Sequence, residues 1–149
     1  MENLTEKYQL IYKPTDRLYE STGVFRYEGS ARLVVETDQG LSDFYRSLIP
    51  PWLPCMKPRW PAHITVVREE KEAPVNKEHW GKYDGQEIKF LYDPIVREGK
   101  VYYWLNIFCE KLEEIRLELG LPVVSEYTLP PEGFRKCFHM TIANKKTNG

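Results

Sequence analysis

Apolar and β-branched residues come in short runs divided by turn-forming clusters, the pattern of a chain built from strands with a few helices. The runs Gly23 to Tyr27 and Ala31 to Glu36 flank Glu28-Gly29-Ser30, which predicts a strand, a turn and a strand. Thr37 and Asp38 then offer an N-cap, and Leu41, Phe44, Tyr45, Leu48 and Ile49 fall on one face at helical spacing before Pro50-Pro51 stops the run. A proline-rich loop, 50–61, delivers the chain into Ala62-His63-Ile64-Thr65-Val66-Val67, where apolar and polar positions alternate as in a strand. After a polar stretch, 68–85, the runs Gln86 to Tyr92 and Val101 to Cys109 predict a hairpin with a longish loop. Leu112, Ile115 and Leu119 mark the buried stripe of a second helix ended by Gly120 and Pro122. A second proline-containing loop, 121–133, leads into a last strand from Arg135 to Ile142.

The elements repeat in order. A strand at 31–36, a helix, a proline loop and a strand at His63 are followed by a strand at 101–109, a helix, a proline loop and a strand at His139. The chain therefore reads as a single α+β domain, 1–149, made of two pseudo-repeats at about 31–92 and 101–142 without obvious identity between them. Two copies of one unit predict two pseudo-symmetric lobes around a central cleft.

Composition narrows the function. A chain of 149 residues with 29% charged residues has the make-up of one globular core, and no uncharged apolar stretch approaches the ~20 residues that span a bilayer. The first ten residues carry Glu2, Glu6 and Lys7 rather than a basic region before an apolar run, so a cytoplasmic location is expected. A net charge of −1 argues against coating a long nucleic acid, which requires many cations to release counterions. Cys55, Cys109 and Cys137 have no metal or disulfide spacing and are expected as buried thiols.

Chemistry enters with His63-Ile64-Thr65-Val66 and His139-Met140-Thr141-Ile142, which share the pattern histidine, apolar, threonine, apolar. Strand alternation puts each imidazole beside a hydroxyl on one face, backed by apolar residues on the other. One such histidine is commonly just a polar residue on an open sheet face. Two of the chain's three histidines in the same pattern is, on average composition, roughly a one-in-three-thousand accident. Paired imidazoles can act as acid and base near neutral pH, and hydroxyls can donate to the oxygens of a phosphodiester held between them. A zinc reading lacks a third ligand at recognisable spacing, since His79 lies in a polar loop beside Trp80, and no metal or other cofactor is expected.

These two motifs, with their strand context and spacing, resemble those of the two-histidine (2H) phosphoesterase superfamily over about residues 31–142. The resemblance implies the bilobal 2H fold, metal-independent cleavage of phosphodiesters, His63 and His139 as acid and base, and Thr65 and Thr141 as phosphate-binding hydroxyls. Size, the lack of an added domain and near-neutral charge look most like the phage anti-CBASS phosphodiesterases, which implies small cyclic di- or trinucleotides as substrate. Tyr12, Trp60 and Trp80 are the candidates for stacking on bases. Lys57, Arg59, Arg135 and Lys136 precede the motif strands, where an anion would enter, and Lys145-Lys146 reads as a solubilising tail. Two other readings stand beside this one: an enzyme acting on 2′,3′-cyclic phosphates of RNA ends, and a non-catalytic nucleotide-binding sponge.

Overall fold

The computed structural model describes residues 18–69, 71–123 and 137–146. Its elements are β1 Tyr19–Glu28, β2 Arg32–Thr37, α1 Gln39–Ser47, β3 Cys55–Met56, β4 His63–Val67, a 3-10 turn Lys77–His79, β5 Glu87–Tyr92, β6 Arg97–Glu98, β7 Tyr102–Phe108, α2 Glu110–Glu118 and β8 Phe138–Lys145. The architecture is mixed α and β, with far more strand than helix among the described residues.

Every strand pairing is antiparallel, and six strands close on themselves in the order β1-β2-β4-β8-β7-β5 before returning to β1. The two-residue strands β3 and β6 lie outside this ring, against β8 and β7. The described strands therefore make one barrel. Because β4 pairs with β8 and β1 with β5, hydrogen bonding does not divide it into the two separate sheets expected from the repeat.

Alternation along the strands decides what lies inside. Leu33, Val35, Ile64, Leu105, Ile107, Met140 and Ile142 belong to one buried cluster, and burying each such side chain is worth about 1.5–3 kcal/mol. β1 begins four residues earlier than its apolar run predicts, because Tyr19, Glu20, Ser21 and Thr22 pair with β5 rather than sort by hydrophobicity. Its turn to β2 uses Gly29 at φ +59°, a left-handed conformation that favours glycine.

Helix α1 starts as expected, with the Asp38 carboxylate accepting from the Gly40 amide at 2.9 Å. Its buried face differs from the expected stripe. Ser42, Tyr45 and Ile49 turn inward while Phe44 and Leu48 stay exposed, since Tyr45 packs edge-on against Tyr92 of β5, 5.8 Å between ring centres. Burial pushes the Tyr45 hydroxyl's pKa up. On α2 the expected Leu112, Ile115 and Leu119 are buried, together with Arg116. Cys109 and Cys137 are buried thiols, Cys55 is half-buried, and burial pushes Cys109 up to about 11. Lys145 belongs to β8 and pairs with Glu98 at 2.5 Å, so it is not part of a loose tail. No helix among the described residues is long and apolar enough to cross a membrane.

Candidate active site

The two motif strands are neighbours, and Ile64 stands directly opposite Met140. Both side chains are fully buried in the barrel, so the residues on either side of them point to the outer face, where His63, Thr65, His139 and Thr141 are all half-exposed. Counted outward from this one pair, antiparallel alternation turns His63 toward Thr141 and Thr65 toward His139.

A backbone feature recurs at both motifs. The β2–β4 register runs from Val34↔Thr65 to Leu33↔Val67 and skips Val66, while β7–β8 runs from Trp104↔Thr141 to Tyr103↔Ala143 and skips Ile142. The last position of each His-x-Thr-x motif is thus a β-bulge, a device that bends a strand and re-aims the side chains beside it. Each bulged residue is held by an arginine from the helix of the opposite repeat. Arg46 of α1 donates to the Ile142 carbonyl at 3.1 Å, and Arg116 of α2 donates to the Val66 carbonyl at 2.6 Å.

These two arginines sit in different surroundings. The Arg116 side chain has no exposure and makes a bidentate pair with Glu72 at 2.8 and 2.9 Å, adding a bond to the Pro122 carbonyl at 2.8 Å. Arg46 is paired with the more exposed Asp43, whose carboxyl is held below its usual range by hydrogen bonds from Gln39 and Arg46.

Around His63 the chain itself supplies the constraints. Thr37 N donates to the Ala62 carbonyl at 3.0 Å and Ala62 N to Gln39 Oε1 at 2.9 Å, which fixes the peptide just ahead of the motif. The ring's Nδ1 lies 2.7 Å from the Pro61 carbonyl oxygen. A carbonyl only accepts, so Nδ1 carries the hydrogen and, in the neutral ring, Nε2 keeps its lone pair. Glu36 stands opposite His63 on β2 and pairs with Arg26 at 3.3 Å.

His139 is held by side chains. The Trp104 indole stacks on its ring, 4.7 Å between centres and 23° between planes. Trp104 Nε1 donates to Asn106 Oδ1 at 3.0 Å, and Asn106, directly opposite His139, also accepts from Cys137 Sγ at 3.3 Å. Behind the indole lies Gly99, where an added Cβ would come within 2.8 Å of Trp104 Cζ3. Leu18, Phe108 and Cys137 form a small buried cluster on this side of the sheet.

Of the stacking candidates, Trp60 is 62% exposed, with the guanidinium groups of Arg32 and Arg59 each 5.9 Å from its ring centre. Arg32 shares a strand face with Val34 and Glu36, the partners of Thr65 and His63, so Trp60 packs beside a side chain of the motif face. Trp80 does not. Its Nε1 donates to the Gly29 carbonyl at 3.0 Å and its ring meets Tyr27 edge-on, which commits the indole to packing at the β1–β2 turn. Lys57 is exposed in the loop before β4. Tyr12, Arg135 and Lys136 lie outside the described residues. The third histidine, His79, is near Glu118, 3.8 Å from Nδ1 to Oε1, away from the motifs.

Trp104, Asn106, Gln39, Arg46 and Arg116 were not singled out by sequence. Trp104 and Asn106 become visible only through the register that sets them against Thr141 and His139. Arg116 left one signal, a charged residue one turn from Leu112 inside a buried stripe. Comparison of the chain with protein-family models, with curated proteins and with solved structures finds no match in any of the three.

Proposed function

We propose that this protein is a metal-independent phosphodiesterase of the two-histidine kind, opening the 3′-5′ bonds of small cyclic di- or trinucleotides. One observation carries the reading: Ile64 opposite Met140 sets the two motif strands side by side, with both imidazoles and both threonine hydroxyls turned to the face away from these buried residues. In this reading the units β2-α1-β4 and β7-α2-β8 are the counterparts of the two lobes of the 2H fold, joined here along the β4–β8 seam.

The two rings divide the work. His63, with Nδ1 committed to Pro61, has the lone pair on Nε2 that a base requires. His139 lies on an indole face, which attracts an imidazolium and suits the acid. A ribose 2′-hydroxyl gives its proton to His63 Nε2 and its oxygen attacks the adjacent phosphorus. The P–O5′ bond breaks, and the leaving oxygen takes the proton of His139. The products are a 2′,3′-cyclic phosphate and a free 5′-hydroxyl. Thr65 and Thr141 donate to the non-bridging oxygens, and exposed Trp60 offers a stacking surface for a base. The internal nucleophile is favoured because it is already tethered beside the phosphorus.

The test is incubation with cyclic dinucleotides, cyclic trinucleotides and cyclic-phosphate-ended RNA in excess EDTA, read by mass spectrometry. Ring opening with a 2′,3′-cyclic phosphate as first product is expected, and an analogue with 2′-deoxyribose at the scissile 3′ position should stay closed. Turnover lost in EDTA and restored by zinc or manganese sinks the reading, as does equal opening of the deoxy analogue. Cleavage confined to RNA ends points to the RNA-end enzyme, and tight binding without turnover to the sponge.

A further inference from the structure

We propose that Arg46 is a positioning residue that ties the two motif strands into one unit, an inference that rests on reading the two motifs as a single site. An unbroken chain of side-chain hydrogen bonds on α1 runs from one motif to the other. Ala62 N, adjoining His63, donates to Gln39 Oε1 at 2.9 Å. Gln39 Nε2 donates to Asp43 Oδ1 at 3.0 Å, and the same oxygen takes Arg46 Nη2. Arg46 Nη1 then donates to the carbonyl of Ile142, the bulged residue next to Thr141.

The backbone explains why this link matters. β4 and β8 share a single ladder pair, Ile64↔Met140, whereas β7 and β8 share six. The seam between the histidines is therefore the least hydrogen-bonded junction beside the site, and α1, which follows β2 in the chain yet packs on β8, spans it. A bulge leaves a peptide group out of the regular ladder, and a buried carbonyl needs a partner. The guanidinium supplies it while its second nitrogen stays with Asp43, a forked geometry that an ammonium does not reproduce.

The test uses the full chain carrying Arg46→Met, Arg46→Lys or Gln39→Ala, with the imidazole signals of His63, His139 and His79 followed by NMR and cleavage of a cyclic dinucleotide followed by kcat and KM. Arg46→Met should shift the signals of both His63 and His139 and leave His79 in place. Under the proposed reaction kcat falls by about ten- to a hundredfold, since misplacing reacting groups by about an ångström costs this much, while KM changes by less than about twofold. Arg46→Lys should restore the melting temperature but not kcat. Gln39→Ala, which cuts the chain at its other end, should also move both rings. The proposal is overturned if a folded Arg46 variant moves only one ring or neither, or if it keeps wild-type kcat; should both Arg46 variants fail to fold, Gln39→Ala leaving His139 in place overturns it. An inactive wild-type protein would defeat the proposed reaction alone, because the NMR comparison needs no turnover.

Discussion

The two motifs share a backbone and differ in what surrounds it. Each is a strand with its bulge at the fourth motif position, each bulged carbonyl takes an arginine from the opposite repeat, and each histidine faces a polar partner across the ladder, Glu36 or Asn106. At the first motif the histidine is held by its own chain through Pro61, and the arginine on the bulge is sealed in the core with Glu72. At the second, the histidine is held by the Trp104 ring and the arginine lies nearer to solvent, beside Asp43. One backbone pattern thus carries two different surroundings for an imidazole, as the proposed reaction with one base and one acid requires.

The comparison is broken most directly by deleting the rings. His63→Ala and His139→Ala should each lower kcat by about 10²-fold or more with substrate still binding, as placed proton-transfer groups contribute about 10²–10⁴. A variant that keeps most of its turnover would show its motif to be structural. Next in size is the contrast between the arginines. Arg116→Met leaves Glu72 buried without its cation and should cost about 3–5 kcal/mol in urea unfolding. Arg46→Met should cost a small fraction of that, and equal losses would erase the difference between the two clamps.

Smaller effects sharpen the picture. Thr65→Ala and Thr141→Ala should each raise the barrier by about 1–3 kcal/mol through a lost bond to a charged oxygen, and by similar amounts because the bulges aim them alike. Under the proposed reaction Trp104→Leu should reduce kcat by about three- to tenfold by loosening the His139 ring, and a variant that keeps wild-type kcat would show the stacked indole to be packing alone.

Much of this was legible in the sequence because it is written locally. Alternation in Ala62-His63-Ile64-Thr65-Val66-Val67 gave the strand and the face of each side chain, and Asp38 gave the start of α1. What was not legible depends on partners distant in the chain. Trp104 resembles any strand aromatic until β7 is set against β8, and the two arginines resemble surface charge until a helix from one repeat is laid on the strand of the other. The closed ring was missed for the same reason, since closure rests on Ile64 meeting Met140. Trp80 was misread because its polar neighbours hid an indole whose nitrogen caps the Gly29 turn.

Closure of the ring also bears on how the protein behaves in a concentrated solution. An open sheet ends in strands whose free peptide groups can recruit the strand of another molecule, the usual beginning of edge-to-edge aggregation. Here each of the six ring strands has a neighbour on both sides, with the pairing thinnest at the single β4–β8 pair between the motif strands. Among the described strands, those left with one open side are β3 and β6, two residues each, and β6 consists of Arg97 and Glu98, already bound to Asp93 and Lys145. The apolar runs that carry the motifs thus lie between neighbouring strands, and the described strands with an open side are short and, in β6, charged.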